Sequence, residues 1–483
     1  MSGAGPRDEQ RYAGLVAALR STVSSGATLD LDWRRQRLGA LRRLLTDHET
    51  PLTEAVSRDV GKPAAEVRLT ELSLVVREID DLLANLERWT APRRVRLPAV
   101  YLPGRAEVQL RPKGVVLVIS TWNYPVLLLL APLAGALAAG DTVVAKPSEL
   151  TPTVSGLLAD LLPRYLGADT VGVVTGGVPE TTELLRCRFD HVFFTGSGPV
   201  GRVVMRAAAE HLTPVTLELG GKSPAFVDGT VDAAVAARRV VWAKFTNAGQ
   251  SCIAPDYLLV TREAREEVLA ALGAAITEFF GADPRRSPDL GRVVNADHHR
   301  RLVDLLSSSG GRVVVGGGHE EDERYLAPTV VVDPDVDSPL MTEEIFGPVL
   351  PVLTVADAAQ AVAFVAGRDQ PLALYVFTED DATRAAFERG TSSGALGHGV
   401  ALMQISVPGL PFGGVGASGM GRYHGRDSVE ELSHHRSVVS KPLRPDTLAL
   451  VYPPFPAWKR AAGMRLLAPL RRPLARAWTR GRR

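Results

Sequence analysis

The sequence has very little cysteine. Two residues in 483, Cys187 and Cys252, cannot staple a secreted scaffold, so a reducing, cytoplasmic setting is expected. Neither has a neighbour at metal-ligand spacing, and no metal is expected. Long apolar runs are missing too. The longest, residues 126–139, contains Pro132 and Gly135 and falls short of the ~20 residues a membrane span needs, so it reads as a buried helix. No apolar segment follows the polar opening MSGAGPRDEQ, which leads us to expect a mature chain that begins near Met1. No period of 20–50 residues recurs, which disfavours a solenoid or propeller.

A charge excess is also lacking, but only in the sum. The formal net charge is +1, yet nine of the 55 basic residues and none of the 54 acidic ones fall in residues 455–483, so the rest of the chain carries −8. An acidic body argues against nucleic acid as the main ligand, because phosphate neutralisation needs a basic face. The tail mixes Leu, Met and Trp with its cations, and Pro469 and Pro473 interrupt any long helix. It reads either as a peripheral contact to the anionic inner face of a membrane or as a segment that is solvated or packed on a partner subunit.

What is present is an ordinary globular composition, 45% apolar and 23% charged, on a length that suggests about three domains. The first ~95 residues carry apolar positions at three- and four-residue spacing and read as covering helices. From Gly114 short β-branched runs alternate with helical stretches: GVVLVIS, DTVVAKP, VGVVTG and FDHVFFTG. That alternation predicts an α/β fold with a parallel, doubly wound sheet. VTLEL is expected to open a second α/β unit that continues through PAFVD, YLLV, TVVV, VLPVLTV and LALYVFT. The segment RAEVQLRP and the Gly-rich region from about 400 to 445 fit neither unit, and both suit subunit contacts.

Four segments can carry chemistry. GSGPVG, Gly196–Gly201, matches a dinucleotide fingerprint with Glu218 about twenty residues on, but equally a plain tight turn. GQSC ends at Cys252, which is a nucleophile if its proton is taken and otherwise a small buried residue, as Cys187 reads in LLRCRFD. Glu218 in LELGGKSP is a desolvated general base or a strand end facing water. Asn123 in STWNYP is a helix N-cap or a donor to a developing oxyanion.

Taken together, and in this order, WNYP, KPSE, FTGS, LELGGK, Gly-Gln-x-Cys, EEIFGP and PFGG resemble the aldehyde dehydrogenase superfamily. The resemblance runs from about Asp59 to about Tyr452. GQSCIAPDY, KPSELTP and LPFGGVGASGMGRYHG look most like its class 3, fatty-aldehyde branch.

It implies that Cys252 attacks the aldehyde, that Asn123 with the Cys252 N–H holds the oxyanion, and that Glu218 activates the water that hydrolyses a thioester. Glu218 then leaves the fingerprint reading of GSGPVG without its ribose carboxylate. Lys146 and Glu149 would meet the adenosine ribose, Thr195, Gly196 and Ser197 the pyrophosphate, Glu344 the nicotinamide ribose, with Trp122 and Phe346 beside it. The implied cofactor is NAD, preferred over NADP because the Glu149 carboxylate repels a 2′-phosphate.

The implied architecture is an NAD(P)-binding domain (1–96 and 113–216), a catalytic domain (217–394), a bridging and oligomerisation element (97–112 and 395–454) and the basic tail (455–483), assembled as a homodimer. The substrate would be a small-molecule aldehyde, apolar by analogy. Gly399 and Gln404 stand where that branch has other residues, near the substrate end. A CoA-acylating or phosphorylating variant and a catalytically retired scaffold are the competing readings.

Overall fold

The computed structural model describes residues 11–98 and 101–466. Most of the basic tail, residues 467–483, lies outside them. Of these, residues 11–89 and 111–434 make one compact body, and 90–98, 101–110 and 435–466 make a second.

The body opens with helices, as the apolar spacing predicts. Leu31–Asp47 buries Leu38, Leu41, Leu44 and Leu45, and its start is capped by Asp30, whose carboxylate accepts from the Asp32 N–H. Ser73–Thr90 buries Val75, Ile79, Leu82 and Leu86 on one stripe. Just before it, residues Arg68–Leu72 form a π turn that carries the buried Glu71.

Six strands form the first sheet, in the order Gly419–Met420, Val215–Glu218, His191–Thr195, Val115–Ile119, Thr142–Lys146, Val171–Val173. All pair in parallel except Gly419–Met420. The chain starts at Val115–Ile119, builds outward through Val171–Val173, then returns to the other side at His191–Thr195. Strand order therefore reverses between Val115–Ile119 and His191–Thr195, the place where open α/β sheets leave a crevice at their carboxyl ends. Here the structure departs from the expected division. VTLEL does not open the second unit: Thr195 pairs with Glu218, which makes Val215–Glu218 a strand of the first sheet.

The second sheet has seven strands, in the order Arg312–Val315, Thr329–Val332, Val349–Val355, Tyr257–Thr261, Pro224–Val227, Ala373–Phe377, Ala395–His398. Only Arg312–Val315 is antiparallel. Four of its interior strands, Pro224–Val227, Tyr257–Thr261, Thr329–Val332 and Ala373–Phe377, are buried at every position and largely apolar, as expected of strands covered on both faces. Residues 395–454 divide three ways. Ala395–His398 is the last strand of this sheet, Gly419–Met420 joins the first, and Ser433–Ser440 pairs in the second body.

Leu127–Ala139 is buried along its whole length, as expected of the longest apolar run. Helix Arg426–Glu431 packs against it, and Gly135 permits the approach, since a Cβ there would stand 2.7 Å from Ser428 Cβ. The second body is a three-stranded sheet ordered Arg93–Val95, Arg105–Pro112, Ser433–Ser440, whose outer strands are mostly exposed.

Candidate active site

The crevice at the first sheet's strand ends holds a cavity of about 230 Å³. Trp122 and Asn123 reach it from the end of Val115–Ile119, Thr195, Gly196 and Ser197 from the end of His191–Thr195, and Glu218 from the end of its own strand. Cys252, Glu344 and Phe346 enter from loops beside the second sheet. A second cavity of about 260 Å³, lined by Leu127, Trp242, Ile253, Leu402, Met403 and Ile405 among others, meets the first. Leu128, Cys252 and Phe412 belong to both walls. The thiol thus stands where a polar cavity and an apolar one join.

The loop that leads to Cys252 is held in an unusual conformation. Asn247 and Ala248 both adopt left-handed backbone, at φ 53° and 52°, which costs on the order of 1 kcal/mol or more each for residues with side chains. Hydrogen bonds offset that cost. The Asn247 N–H donates to Glu66 at 2.9 Å, and its side-chain amide donates to the carbonyls of Asn123 and Gln250 at 2.8 and 3.1 Å. Gln250 is fully buried and uses both ends of its amide, donating to the Asn247 and Arg292 carbonyls and accepting from the Val294 N–H. Burial pushes the Cys252 thiol well up, and the Glu344 and Glu218 carboxylates push it further. The N–H groups of Cys252 and Ile253, which face the sulfur, oppose them.

Asn123 is 1% exposed. One proton of its amide goes to the Gln250 carbonyl at 3.0 Å, which fixes the orientation of the amide and leaves its second proton unassigned. Behind it lies a buried ion pair, Lys62 with Glu71 at 2.6 Å, both side chains fully buried. Lys62 also donates to the Asn123 carbonyl at 3.0 Å and stands 3.7 Å from the centre of the Tyr124 ring. The second oxygen of Glu71 accepts from the N–H groups of Val126 and Leu127, at the start of the buried helix.

Glu218 is 3% exposed, and neither carboxylate oxygen has a hydrogen-bond partner. Burial, then the charge of Glu431, raises it well above the usual carboxylate range. The strand-end-in-water reading is therefore set aside for the desolvated one. Glu344 is half-buried with its Oε1 enclosed, and its carboxyl is raised to about 8, by desolvation first and by Asp256 second. Its carboxylate presses against the backbone of Gly220, where any Cβ would collide with it. Lys222 pairs with Asp256 and donates to the carbonyls of Leu340 and Glu343, while Asp256 accepts from the Ile345 N–H. That clamp sets the loop bearing Glu344 and Phe346, the latter at φ 51°.

Residues that fit a nicotinamide dinucleotide line the same cavity. Glu344 Oε1 and Thr195 Oγ1 are buried polar atoms with no protein partner, as expected of groups that bond a ligand. Ser197 precedes helix Gly198–Ala209, whose first N–H groups favour an anion. The ring of Trp122 lies edge-on to Phe346 at 5.4 Å. Lys146 and Glu149 stand apart from this cavity's lining, at the end of Thr142–Lys146; they pair at 3.6 Å with Lys146 buried and Glu149 half-exposed.

Sequence reasoning missed Lys62, Glu71, Asn247, His298 and Arg301. The last two line the polar cavity, His298 with its ring 5.1 Å from Trp122. Of the departing residues, Gly399 takes left-handed backbone at φ 65°, and Gln404 donates to the Tyr375 hydroxyl at 2.9 Å instead of lining either cavity. Cys187 packs against the first sheet's core. Among the described residues no group of three or more His, Cys, Asp or Glu is placed to hold a metal ion, and no helix is long and apolar enough to cross a membrane.

The Lys62–Glu71 pair yields a direct expectation. Lys62→Met strands Glu71 as an uncompensated buried carboxylate and should cost about 3–5 kcal/mol, read from urea unfolding; a loss below 1 kcal/mol would contradict the role given to the pair.

Comparison with known proteins agrees with the motif order. Residues 7–438 match the model of the aldehyde dehydrogenase family. The dimeric NADP-preferring aldehyde dehydrogenase of Canis lupus familiaris is 43% identical over 441 residues, 91% of this chain and 97% of that one. Aldehyde dehydrogenase family 3 member A2 of Rattus norvegicus is 43% identical over 440 residues, 91% and 90% of the two chains. A substrate-bound structure of Staphylococcus aureus AldH superposes with a TM-score of 0.91 at 39% identity, covering 94% of this chain and 99% of that one. A Mycobacterium tuberculosis aldehyde dehydrogenase complexed with NAD+ superposes at 0.80 with 30% identity over 89% of each. The fold, the ordered motifs and these similarities agree: the chain belongs to the aldehyde dehydrogenase family.

Proposed function

We propose that this NAD(P)-dependent aldehyde dehydrogenase works through covalent chemistry on Cys252, with Asn123 and Glu218 as its partners. The observation that carries the reading is the junction at Cys252. Cys252 lines both cavities, and the first of them also holds the Asn123 amide with its spare proton and the Glu218 carboxylate, unpartnered among the described residues.

Burial favours the neutral form of the thiol, and ionisation of Glu344 or Glu218 favours it further. Attack begins when the thiol proton passes to bulk water, the one proton that the overall oxidation releases. The sulfur then bonds to the aldehyde carbon, and the carbonyl oxygen takes the electron pair. The free proton of the Asn123 amide and the Cys252 N–H receive the resulting oxyanion, a pair of donors already in place before charge develops. Glu344, Thr195 and Ser197 would hold NAD(P), whose nicotinamide would supply the hydride acceptor that the tetrahedral centre requires. A thioester on Cys252 remains, and Glu218 takes a proton from water as that water attacks it. The acid departs and the thiol is restored. Glu218 can accept that proton only when ionised, so turnover should rise with pH through its elevated pKa.

The apolar cavity favours medium- and long-chain aliphatic or other apolar aldehydes, in keeping with the fatty-aldehyde branch. Glu218 favours water as the acceptor, against the CoA-acylating alternative. Glu149 favours NAD over NADP in this chain, although the dog relative's name carries an NADP preference. Homodimer assembly through the exposed outer strands of the second body, and peripheral membrane contact through the basic tail of a cytoplasmic protein, complete the reading.

Wild type should reduce NAD(P) with graded aldehydes, and Cys252→Ala should not. Glu218→Gln should keep a burst of about one reduced nicotinamide per site while steady turnover falls on the order of 10²–10⁴-fold. A steady rate within tenfold of wild type would remove Glu218 as the base, and turnover only with added CoA would favour the acylating alternative. Glu149→Gln should narrow the ratio of kcat/KM for NAD over NADP; an unchanged ratio excludes Glu149 from cofactor choice. Cosedimentation with anionic vesicles should decrease on truncation at Pro454, and equal pelleting of both proteins would end the membrane contact.

A further inference from the structure

The apolar cavity contains one feature that a neutral alkyl chain does not need. Among its lining residues Arg77 alone carries a charge at neutral pH. It lies on helix Ser73–Thr90, is exposed, and shares the cavity wall with Leu74, Met403, Ile405 and Ser406.

Among the described residues no carboxylate pairs with it. Three acidic residues share its helix within one turn, and each is engaged elsewhere. Asp80 pairs with Arg42 at 2.7 Å. Glu78 faces His424 at 3.2 Å and accepts from the Gly425 N–H. Asp81 accepts from the Asn85 amide at 2.8 Å. The one bond that Arg77 makes is a long one, Nε to the Ser73 carbonyl at 3.4 Å, which leaves the guanidinium fork free. Glu78 and Asp81 border a small adjoining recess that Arg77 also lines, so the cation separates that acidic recess from the apolar wall.

We propose that Arg77 recognises an anionic group at the far end of the substrate, so that the preferred aldehydes are alkyl chains bearing a carboxylate opposite the aldehyde. This rests on the reading of Cys252 as the nucleophile, and it specifies the substrate class for the same site. The aldehyde carbon lies at Cys252, the methylenes run along Leu127, Leu128 and Met403, and the carboxylate meets the guanidinium fork, a geometry that accepts two parallel bonds. Because Arg77 is solvent-exposed, the attraction is screened and the effect modest.

The test compares neutral alkanals with ω-carboxy alkanals of equal carbon count, in graded lengths, using full-length protein and reduced-nicotinamide absorbance. Wild type should favour the carboxylated member at the best-fitting length. Arg77→Met should lower its kcat/KM by roughly fivefold, through KM, and leave the neutral alkanal within about twofold; Arg77→Lys should recover most of the loss, and added salt should erase the difference between wild type and Arg77→Met. If Arg77→Met lowers both series equally, or neither, the inference is overturned while the Cys252 reading stands. Wild type that oxidises neither series overturns both.

Discussion

A buried ammonium–carboxylate pair, Lys62 with Glu71, underlies the geometry of the site. Its Coulomb attraction is not its main contribution, because taking both charges out of water costs most of what the pair returns. The bonds that radiate from it matter more. Lys62 fixes the Asn123 carbonyl, and Glu71 receives two N–H groups at the head of a helix that has no other cap and no polar face. The candidate oxyanion donor is thereby tied to the position of a fully buried helix. Asn247 completes the frame from the other side, since its amide bridges the carbonyls of Asn123 and Gln250 and so couples the donor loop to the nucleophile loop.

Within that frame the site is built from groups that folding alone would disfavour. Glu218 has no partner, Glu344 has an unpartnered oxygen, and three residues with side chains hold left-handed backbone nearby. Buried carboxylates of this kind favour their neutral forms, so the folded chain holds protons that the unfolded chain would release, and stability is lost as pH rises through their elevated pKa values. The close-packed surroundings sustain that penalty. The same dryness raises the strength of every dipole aimed at the sulfur.

Much of this was legible in the chain. Most strands of both sheets stood out as apolar runs, because parallel strands covered on both faces are buried throughout, whereas the edge strands Arg312–Val315, Ala395–His398 and Gly419–Met420 did not. Asn123 and Glu218 stood out at strand ends, Cys252 in a Gly-containing turn after a helix, and Glu344 through the motif resemblance; the structure brings all four to one cavity. Other parts were hidden for physical reasons. Glu218 sits where a fingerprint carboxylate is expected, yet its strand directs it at the cavity beside Cys252. Lys62 and Glu71 are nine residues apart with a π turn between them, and no helical spacing brings such residues together. VTLEL is as apolar as the strands of either sheet, so only its pairing with Thr195 decides which one it joins.

Gln404 illustrates how a departure from a family pattern can act without touching the ligand. Its neighbours Met403 and Ile405 line the apolar cavity, while its own amide turns away to donate to the Tyr375 hydroxyl. That hydroxyl in turn donates to the Ile253 carbonyl at 2.6 Å, one residue beyond the nucleophile. Tyr375 is fully buried in the second sheet and cannot move without disturbing its strand. The segment that shapes the substrate wall is therefore fastened to the loop that aims the sulfur. A change of residue at 404 shifts Met403 and Ile405 relative to Cys252 even though its own side chain meets no substrate. The shape of the apolar cavity thus depends on two kinds of residue: Leu402, Met403 and Ile405, which form the wall, and Gln404 with Tyr375, which tie that wall to the loop bearing Cys252.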